Sequence, residues 1–453
     1  MWNDRPINLK MKIITFACFL SCLFCLVANA QNFDNYKKEY TLVSQTEAAI
    51  EAERTHRMLL CDQQPSGLYV KKGESITFNV SGLSDEYDLS SMIGFKQMWG
   101  NRNVTQEDLL DNGTKTITAS QDGILSFIFT KIDGYDTKPS TVRVSVKGGK
   151  AFPLYHVGKT SDANWQNDLR TMRDAQFVQF VSDKALVTIT YADYLRTPMR
   201  DVAASFRTIH TVIDLQDELA GFDNSTPQNM RTRNRLHYLI DLYSTPAEGE
   251  SFYMYAMNYL IGMKRDNFTD LTDNLSTEWG IWHETGHTHQ QDSWTWDSIG
   301  EISVNIFSLY VQEKFGRPST LAQVQEGETL TNFERARKYI ADPKKNYLVS
   351  NEEADYNELF SKLVMFHQLR SVYGWDVIKR LHQYFRKQPY VEVDGETDAD
   401  KANKFIYAMC VVTQNDLVPF FRKWGLNADA ATTQKINGMR LPLPKSDPST
   451  IFK

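Results

Sequence analysis

Cysteine is scarce in this chain of 453 residues: there are 5, and three of them (Cys18, Cys22, Cys25) fall within the first 30 positions. The other two, Cys61 and Cys410, cannot scaffold a fold of this size. They form either one bridge or two separate buried thiols. An excess of positive charge is also missing, since 50 Lys and Arg stand against 56 Asp and Glu. With no dense basic run either, a generic nucleic-acid binder is disfavoured. No apolar run reaches the roughly 20 residues that a membrane-spanning helix needs. Internal repeats and low-complexity stretches are absent. Aromatics are not scarce: at 12% they are too many for a chain that stays disordered. The length leads us to expect roughly two or three domains.

The N-terminus has a signature of its own. Lys10 and Lys12 precede the apolar run from Ile13 to Val27, and Ala28-Asn29-Ala30 gives a small-x-small pattern before Gln31. This predicts a signal peptide over residues 1–30, cleaved after Ala30, and a secreted, periplasmic or cell-surface protein. Met11 is an alternative start. A lipoprotein signal with Cys22 as the lipidated residue is the rival, but Phe19 and Leu20 fit it poorly.

Beyond the leader, residues 31–60 read as a polar helical or linker segment. Ala48, Ala49, Ile50, Ala52, Leu59 and Leu60 are its candidate packing residues. From residue 61 the period shortens to two. Ile76, Phe78 and Val80 alternate with Ser75, Thr77 and Asn79; Val142, Val144 and Val146 repeat the pattern, and Ile124 to Phe129 is apolar throughout. Turn signals such as Asp111-Asn112-Gly113 and Asp133-Gly134 separate the runs. A β-sandwich over residues 61–149 is expected, ending near Gly148-Gly149. Residues 150–445 then form a mixed region. Leu186–Tyr191 and Ser251–Ala256 read as strands, Phe206–Phe222, Glu358–Tyr373 and Trp375–Arg386 as helices. The expected class is α+β.

Chemistry concentrates at Trp282-His283-Glu284-Thr285-Gly286-His287. An H-E-x-x-H motif is expected by chance about 0.01 times in a chain of this composition, so it carries weight. On a helix, His283 and His287 share a face and can present two imidazoles to one zinc ion. Glu284 lies beside that face. It would take the proton of a zinc-activated water and pass it to the leaving amine. Glu301, at the start of a helical stripe (Ile302, Ile306, Leu309, Tyr310), is the expected third ligand, with Asp297 as its competitor. His289 points about 200° away from His287 and cannot join the same metal face. Asn305, four residues after Glu301, is a candidate partner for the glutamate or the metal. Trp294 and Trp296 either wall the substrate cleft or pack the two helices together. Trp282 is expected to be buried. His156, His210, His237, His367 and His382 are isolated and read as structural. The strand Phe252–Ala256 is either an edge strand along the cleft or a buried core strand.

The form H-E-x-G-H, followed by Thr288-His289-Gln290 and, after a spacer of thirteen residues from Thr288 to Gly300, by Glu301-Ile302-Ser303-Val304-Asn305, resembles the enhancin-type, mucin-targeting zinc metallopeptidases. Pro65–Val70 with Gly73-Glu74 resembles the family's β-rich lead-in, and Leu359–Trp375 its C-terminal helices. The resemblance implies a β-sandwich followed by a zincin-like (gluzincin) domain with a mainly helical C-terminal part. It implies Zn2+ on His283, His287 and Glu301, with Glu284 as catalytic acid and base. It also implies mucin-like, O-glycosylated protein substrates. Many relatives carry further carbohydrate-binding modules. This length leaves no room for one, so glycan affinity is expected from the catalytic or β-rich region. Two other functions stay open: a metallopeptidase indifferent to glycans, and a non-catalytic glycan- or protein-binding module.

Overall fold

In the computed structural model, residues 37–98, 102–240, 254–324, 327–350, 358–390 and 395–453 are described. The expected signal peptide, its cleavage site and Cys22 lie outside the described residues, as do Phe252 and Tyr253.

Ten strands occupy the first part of the described chain: β1 (Lys37–Val43), β2 (Gln45–Thr46), β3 (Gln63–Val70), β4 (Ser75–Ser81), β5 (Tyr87–Met98), β6 (Arg102–Leu109), β7 (Gly113–Thr118), β8 (Gly123–Lys131), β9 (Thr141–Lys147) and β10 (Lys150–Ala151). One sheet has the order β1-β9-β4-β7; the other runs β10-β3-β8-β5-β6, with β2 beside β8. The alternation in β4 and β9 sends Ile76, Phe78, Val80, Val142, Val144 and Val146 into a core shared with Leu125, Phe127 and Phe129 of β8. The unbroken apolar run of β8 has a different cause. It is buried on both faces, because Ile124 and Phe95 turn outward onto a third sheet through Phe177, Leu239 and Tyr255. Gly148 and Gly149 close this part with φ of 104° and 74°. A Cβ on Gly148 would sit 2.8 Å from the Ser75 carbonyl oxygen, so a side chain is refused there.

The third sheet is mixed: β11 (Leu154–His156), β12 (Phe177–Val181), β13 (Ala185–Thr190), β14 (Leu236–Ile240), β15 (Met254–Met257) and β16 (Leu260–Met263), in the order β11-β12-β13-β14-β16-β15. The strand expected at 251–256 is therefore an edge strand, antiparallel to β16. The helices are α1 (Ala48–Thr55), α2 (Asp162–Thr171), α3 (Tyr191–Arg196), α4 (Val202–Leu219), α5 (Asn267–Thr272), α6 (Trp279–His287), α7 (Gly300–Lys314), α8 (Asn332–Ala341), α9 (Glu358–Ser361), α10 (Leu363–Tyr373), α11 (Asp376–Arg386), α12 (Asp398–Thr413), α13 (Val418–Lys423) and α14 (Ala430–Met439). Ile281 and Trp282 of α6 pack with α4 onto the third sheet. Ile302, Ile306 and Phe307 of α7 join the core of the C-terminal helices. The structure is thus mixed α and β, with the two central helices bridging two cores.

Two expectations need correction. Residues 31–60 are not one helical segment. β1 pairs with β9 from Lys37↔Lys147 to Val43↔Thr141, a contact between residues about a hundred positions apart that overrides the helical look of Lys-Lys-Glu-Tyr. In α1, Ala49 is exposed, whereas Glu51 and Arg54 are buried. Arg54 binds Glu51 and the carbonyls of Pro227, Gln228 and Met230, so its charge is matched where it is hidden. Cys61 and Cys410 are two separate free thiols, each pushed by burial up to about 12. Among the described residues no helix is long and apolar enough to cross a membrane.

Candidate metal centre and active site

α6 turns one side inward and one outward. Ile281, Trp282, Thr285 and Gly286 are buried, while His283, Glu284 and His287 are half-buried. The buried side is anchored at several points. The Trp282 indole donates to the Leu275 carbonyl at 2.7 Å, the Gln216 amide donates to the Trp282 carbonyl at 2.7 Å, and the Tyr238 and Thr285 hydroxyls meet at 3.0 Å.

Gly286 explains how the second helix reaches the first. A Cβ there would lie 2.9 Å from Val304 Cγ2 and 3.1 Å from the Val304 carbonyl oxygen. The missing methyl lets α7 pass close enough for Glu301, in its first turn, to meet the histidines.

His283 Nε2 lies 2.9 Å from Glu301 Oε2 and 3.1 Å from His287 Nε2, and His287 Nε2 lies 3.6 Å from the same Glu301 oxygen. Bonds of about 2.05 Å in tetrahedral geometry place ligand atoms about 3.3 Å apart. The three separations bracket that value, so this donor set fits zinc. Among the described residues it is the one group of three or more His, Cys, Asp or Glu side chains within metal-ligating reach.

The other face of each imidazole is also fixed. Asn305 Oδ1 accepts from His283 Nδ1 at 2.9 Å and from the Trp279 indole at 3.0 Å, while the Asn305 amide donates to the Glu301 carbonyl at 2.9 Å. Gln290 Oε1 accepts from His287 Nδ1 at 2.7 Å, and its amide donates to the Gly300 carbonyl at 2.6 Å and to the Ser303 hydroxyl at 2.7 Å. With both Nδ1 atoms carrying the proton, both Nε2 lone pairs face the triad. Asn305 was expected from its spacing. Gln290 was not singled out, although its position three residues past His287 is the available signal.

Glu284 adjoins the triad. Burial pushes its carboxyl up, and the backbone N–H of Ala256 on β15 donates to it. The edge strand therefore touches the candidate base directly.

The remaining candidates fall elsewhere. Trp294 and Trp296 have no exposed surface and pack on Phe405, so they wall no cleft. Asp297 is exposed and its backbone N–H donates to Asp398, away from the triad. His289 is fully buried against Asp217, at 3.0 Å. His237, His367 and His382 are buried singly, His210 binds the Ser182 hydroxyl, and His156 is exposed.

Two imidazoles and a carboxylate converging from helices in glycine contact, with a second carboxylate alongside, put the chain in the structural class of the metallopeptidases. Residues 148–425 match the family Peptidase M60, enhancin and enhancin-like. The chain belongs to that family. It is also similar to a TRPM8 channel-associated factor homolog from Xenopus laevis (25% identity, covering 68% of this chain and 31% of that protein). Human TRPM8 channel-associated factor 1 is 23% identical over 86% of this chain and 41% of its own length. The chain thus spans well under half of either relative. Among solved structures, a functionally unknown conserved protein from Bacillus anthracis superposes with a TM-score of 0.78 at 29% identity, covering 91% of this chain and 80% of that one. The M60 catalytic domain of ZmpC from Clostridium perfringens, in complex with the sialyl T antigen, gives 0.69 at 18%, covering 91% and 81%.

Proposed function

We propose that this protein is a secreted zinc metalloendopeptidase that hydrolyses peptide bonds in mucin-like, O-glycosylated proteins. The observation that carries this reading is the His283–His287–Glu301 triad with Glu284 beside it. When bound there, zinc supplies Lewis acidity and an acidified water. Glu284 serves as the proton carrier, taking a proton and delivering it to the leaving amine. Its half-buried position and burial-raised carboxyl suit a group that must both take and give a proton. β15, at a sheet edge and in contact with Glu284, is suited to align an extended substrate backbone. Residues 150–445 carry the chemistry and the sheets before them form its platform. Export through the leader at 1–30 fits a glycoprotein substrate outside the cell. The sialyl T antigen bound by the ZmpC domain supports the O-glycan preference.

Glu284→Gln tests the mechanism. It should abolish cleavage while zinc stays stoichiometric; full activity would sink the reading. The substrate class is tested with one peptide made with and without an O-linked sugar. Equal cleavage of both would leave a metallopeptidase indifferent to glycans. A second reading is a non-catalytic glycan- or protein-binding module. The likeness to the TRPM8 channel-associated factors over most of this chain favours it. Metal analysis separates the two: a purified chain without stoichiometric zinc supports the binding module.

A further inference from the structure

The stretch joining α1 to β3 lies outside residues 148–425 that match the family, yet it touches three parts of the active-site scaffold. His56, with φ of 56°, ends α1 in the left-handed region and turns the chain inward. The Arg57 guanidinium then donates through Nε to the Thr288 carbonyl and through Nη2 to the Thr288 hydroxyl. Leu59 receives the backbone N–H of Tyr259 at 2.6 Å, and its own N–H donates to the Asn258 side chain at 3.0 Å, so it holds the turn between β15 and β16. Cys61 exchanges two backbone hydrogen bonds with Arg235, just before β14.

Thr288 directly follows His287, where the last turn of α6 has spare carbonyl groups and the negative end of its dipole. A cation suits that place. Arg57 is buried there, and Asp217 on α4 lies 3.4 Å from it. Asp217 also accepts from His289 Nε2 at 3.0 Å. The Thr288 hydroxyl donates to the Thr285 carbonyl at 2.7 Å, so it accepts from Arg57, and the His289 ring lies 3.1 Å from it. Arg57, Asp217, His289 and Thr288 thus form one buried hydrogen-bonded network behind the last turn of α6.

We infer that Arg57 is a positioning residue for the candidate metal centre, holding the last turn of α6 so that His287 and its partner Gln290 face the metal. This rests on the zinc reading of the triad. A purely structural role predicts lost stability alone; a positioning role predicts lost metal affinity as well.

Arg54 is the matched control. Its side chain is 4% exposed against 2% for Arg57, and it binds Glu51 and carbonyls of residues 227–230 rather than α6. The test uses full-length Arg57→Met, Arg57→Lys, Arg54→Met and Thr288→Val. Folding is followed by circular dichroism, zinc affinity by chelator competition, and ligand geometry by the visible spectrum of the cobalt(II)-loaded chain. Arg57→Met should weaken zinc about 10-fold, the low end for groups supporting metal ligands, and shift the cobalt bands. Arg57→Lys should recover part of both. Arg54→Met should melt earlier yet keep wild-type zinc affinity and spectrum. Wild-type affinity in Arg57→Met, or an equal loss in Arg54→Met, overturns the inference while leaving the zinc reading intact. If Arg57→Met does not fold, Thr288→Val decides: weakened zinc supports the inference and unchanged zinc overturns it. A wild-type chain that binds no zinc sinks the metal reading and this inference with it.

Discussion

The end of α6 carries two histidine–carboxylate clusters with opposite characters. In one, His283, His287 and Glu301 point their acceptor atoms at a common point, and the Glu301 side chain is 62% exposed. In the other, His289 and Asp217 are buried with Arg57 and bond to one another and to Thr288 within the protein. The residue types are nearly the same. What differs is where the spare lone pairs go. Asn305 and Gln290 take the Nδ1 protons in the first cluster, so the Nε2 atoms are left with nothing but each other and Glu301. In the second, internal donors consume the acceptors. A histidine–carboxylate pair becomes a metal site only when its partners leave lone pairs converging on accessible space.

The comparison can be broken most directly by removing Glu301. Glu301→Ala should cost stoichiometric zinc and more than about 1,000-fold in cleavage, because two protein ligands do not make a catalytic zinc site. Metal retained at wild-type affinity would show that the cluster is not the centre. In the buried cluster the expected loss is of stability. Asp217→Ala strands the Arg57 charge and should destabilise the fold by about 3–5 kcal/mol in urea unfolding. A neutral result would mean that the guanidinium finds another partner.

His237 sharpens the contrast, being buried with one hydroxyl partner, Thr188, at 2.9 Å. Burial pushes it down to about 3 from its ordinary 6.5. Between these values the unfolded chain binds a proton that the folded chain does not. Stability therefore rises with pH across this window and is lost as pH falls from 6.5 towards 3. The loss should be on the order of 5 kcal/mol for this group. His237→Gln should flatten the metal-free stability profile there; an unchanged acid limb would assign the loss to other groups. The smallest effect is expected from the amide partners. Gln290→Ala or Asn305→Ala should weaken zinc by about 10–100-fold while leaving folding cooperative. Wild-type affinity in both would mean the imidazoles orient themselves.

How much of this was legible depended on the range of the interaction. His283, Glu284 and His287 are readable because one helix turn dictates their spacing. Glu301 and Asn305 were legible for the same reason on α7. Gln290 sits at the same kind of spacing but past the helix end, where no periodic pattern points to it. Arg57 had no local signal at all, since its partner Thr288 lies more than two hundred residues away. β1 escaped for a related reason: its strand character comes from β9, not from its own composition. The alternation of β4 and β9 was plain because one face of each meets water. Trp294 and Trp296 were ambiguous in principle, since an aromatic ring on a connecting loop suits a cleft and a core equally until neighbours such as Phe405 are known.

The sheet that contains β8 is covered on both sides, by the four-stranded sheet and by the third sheet. This bears on how freely the protein can change. On β4, Ser75 and Asn79 face solvent, and a library of random substitutions should find them permissive. β8 offers almost no such position, since eight of its nine residues are buried. Sequence drift in the four-stranded sheet can pass unnoticed by the half that carries the triad, whereas drift in β8 has to be answered on one of two interfaces. The middle layer is where the chemistry of one half constrains the ancestry of the other.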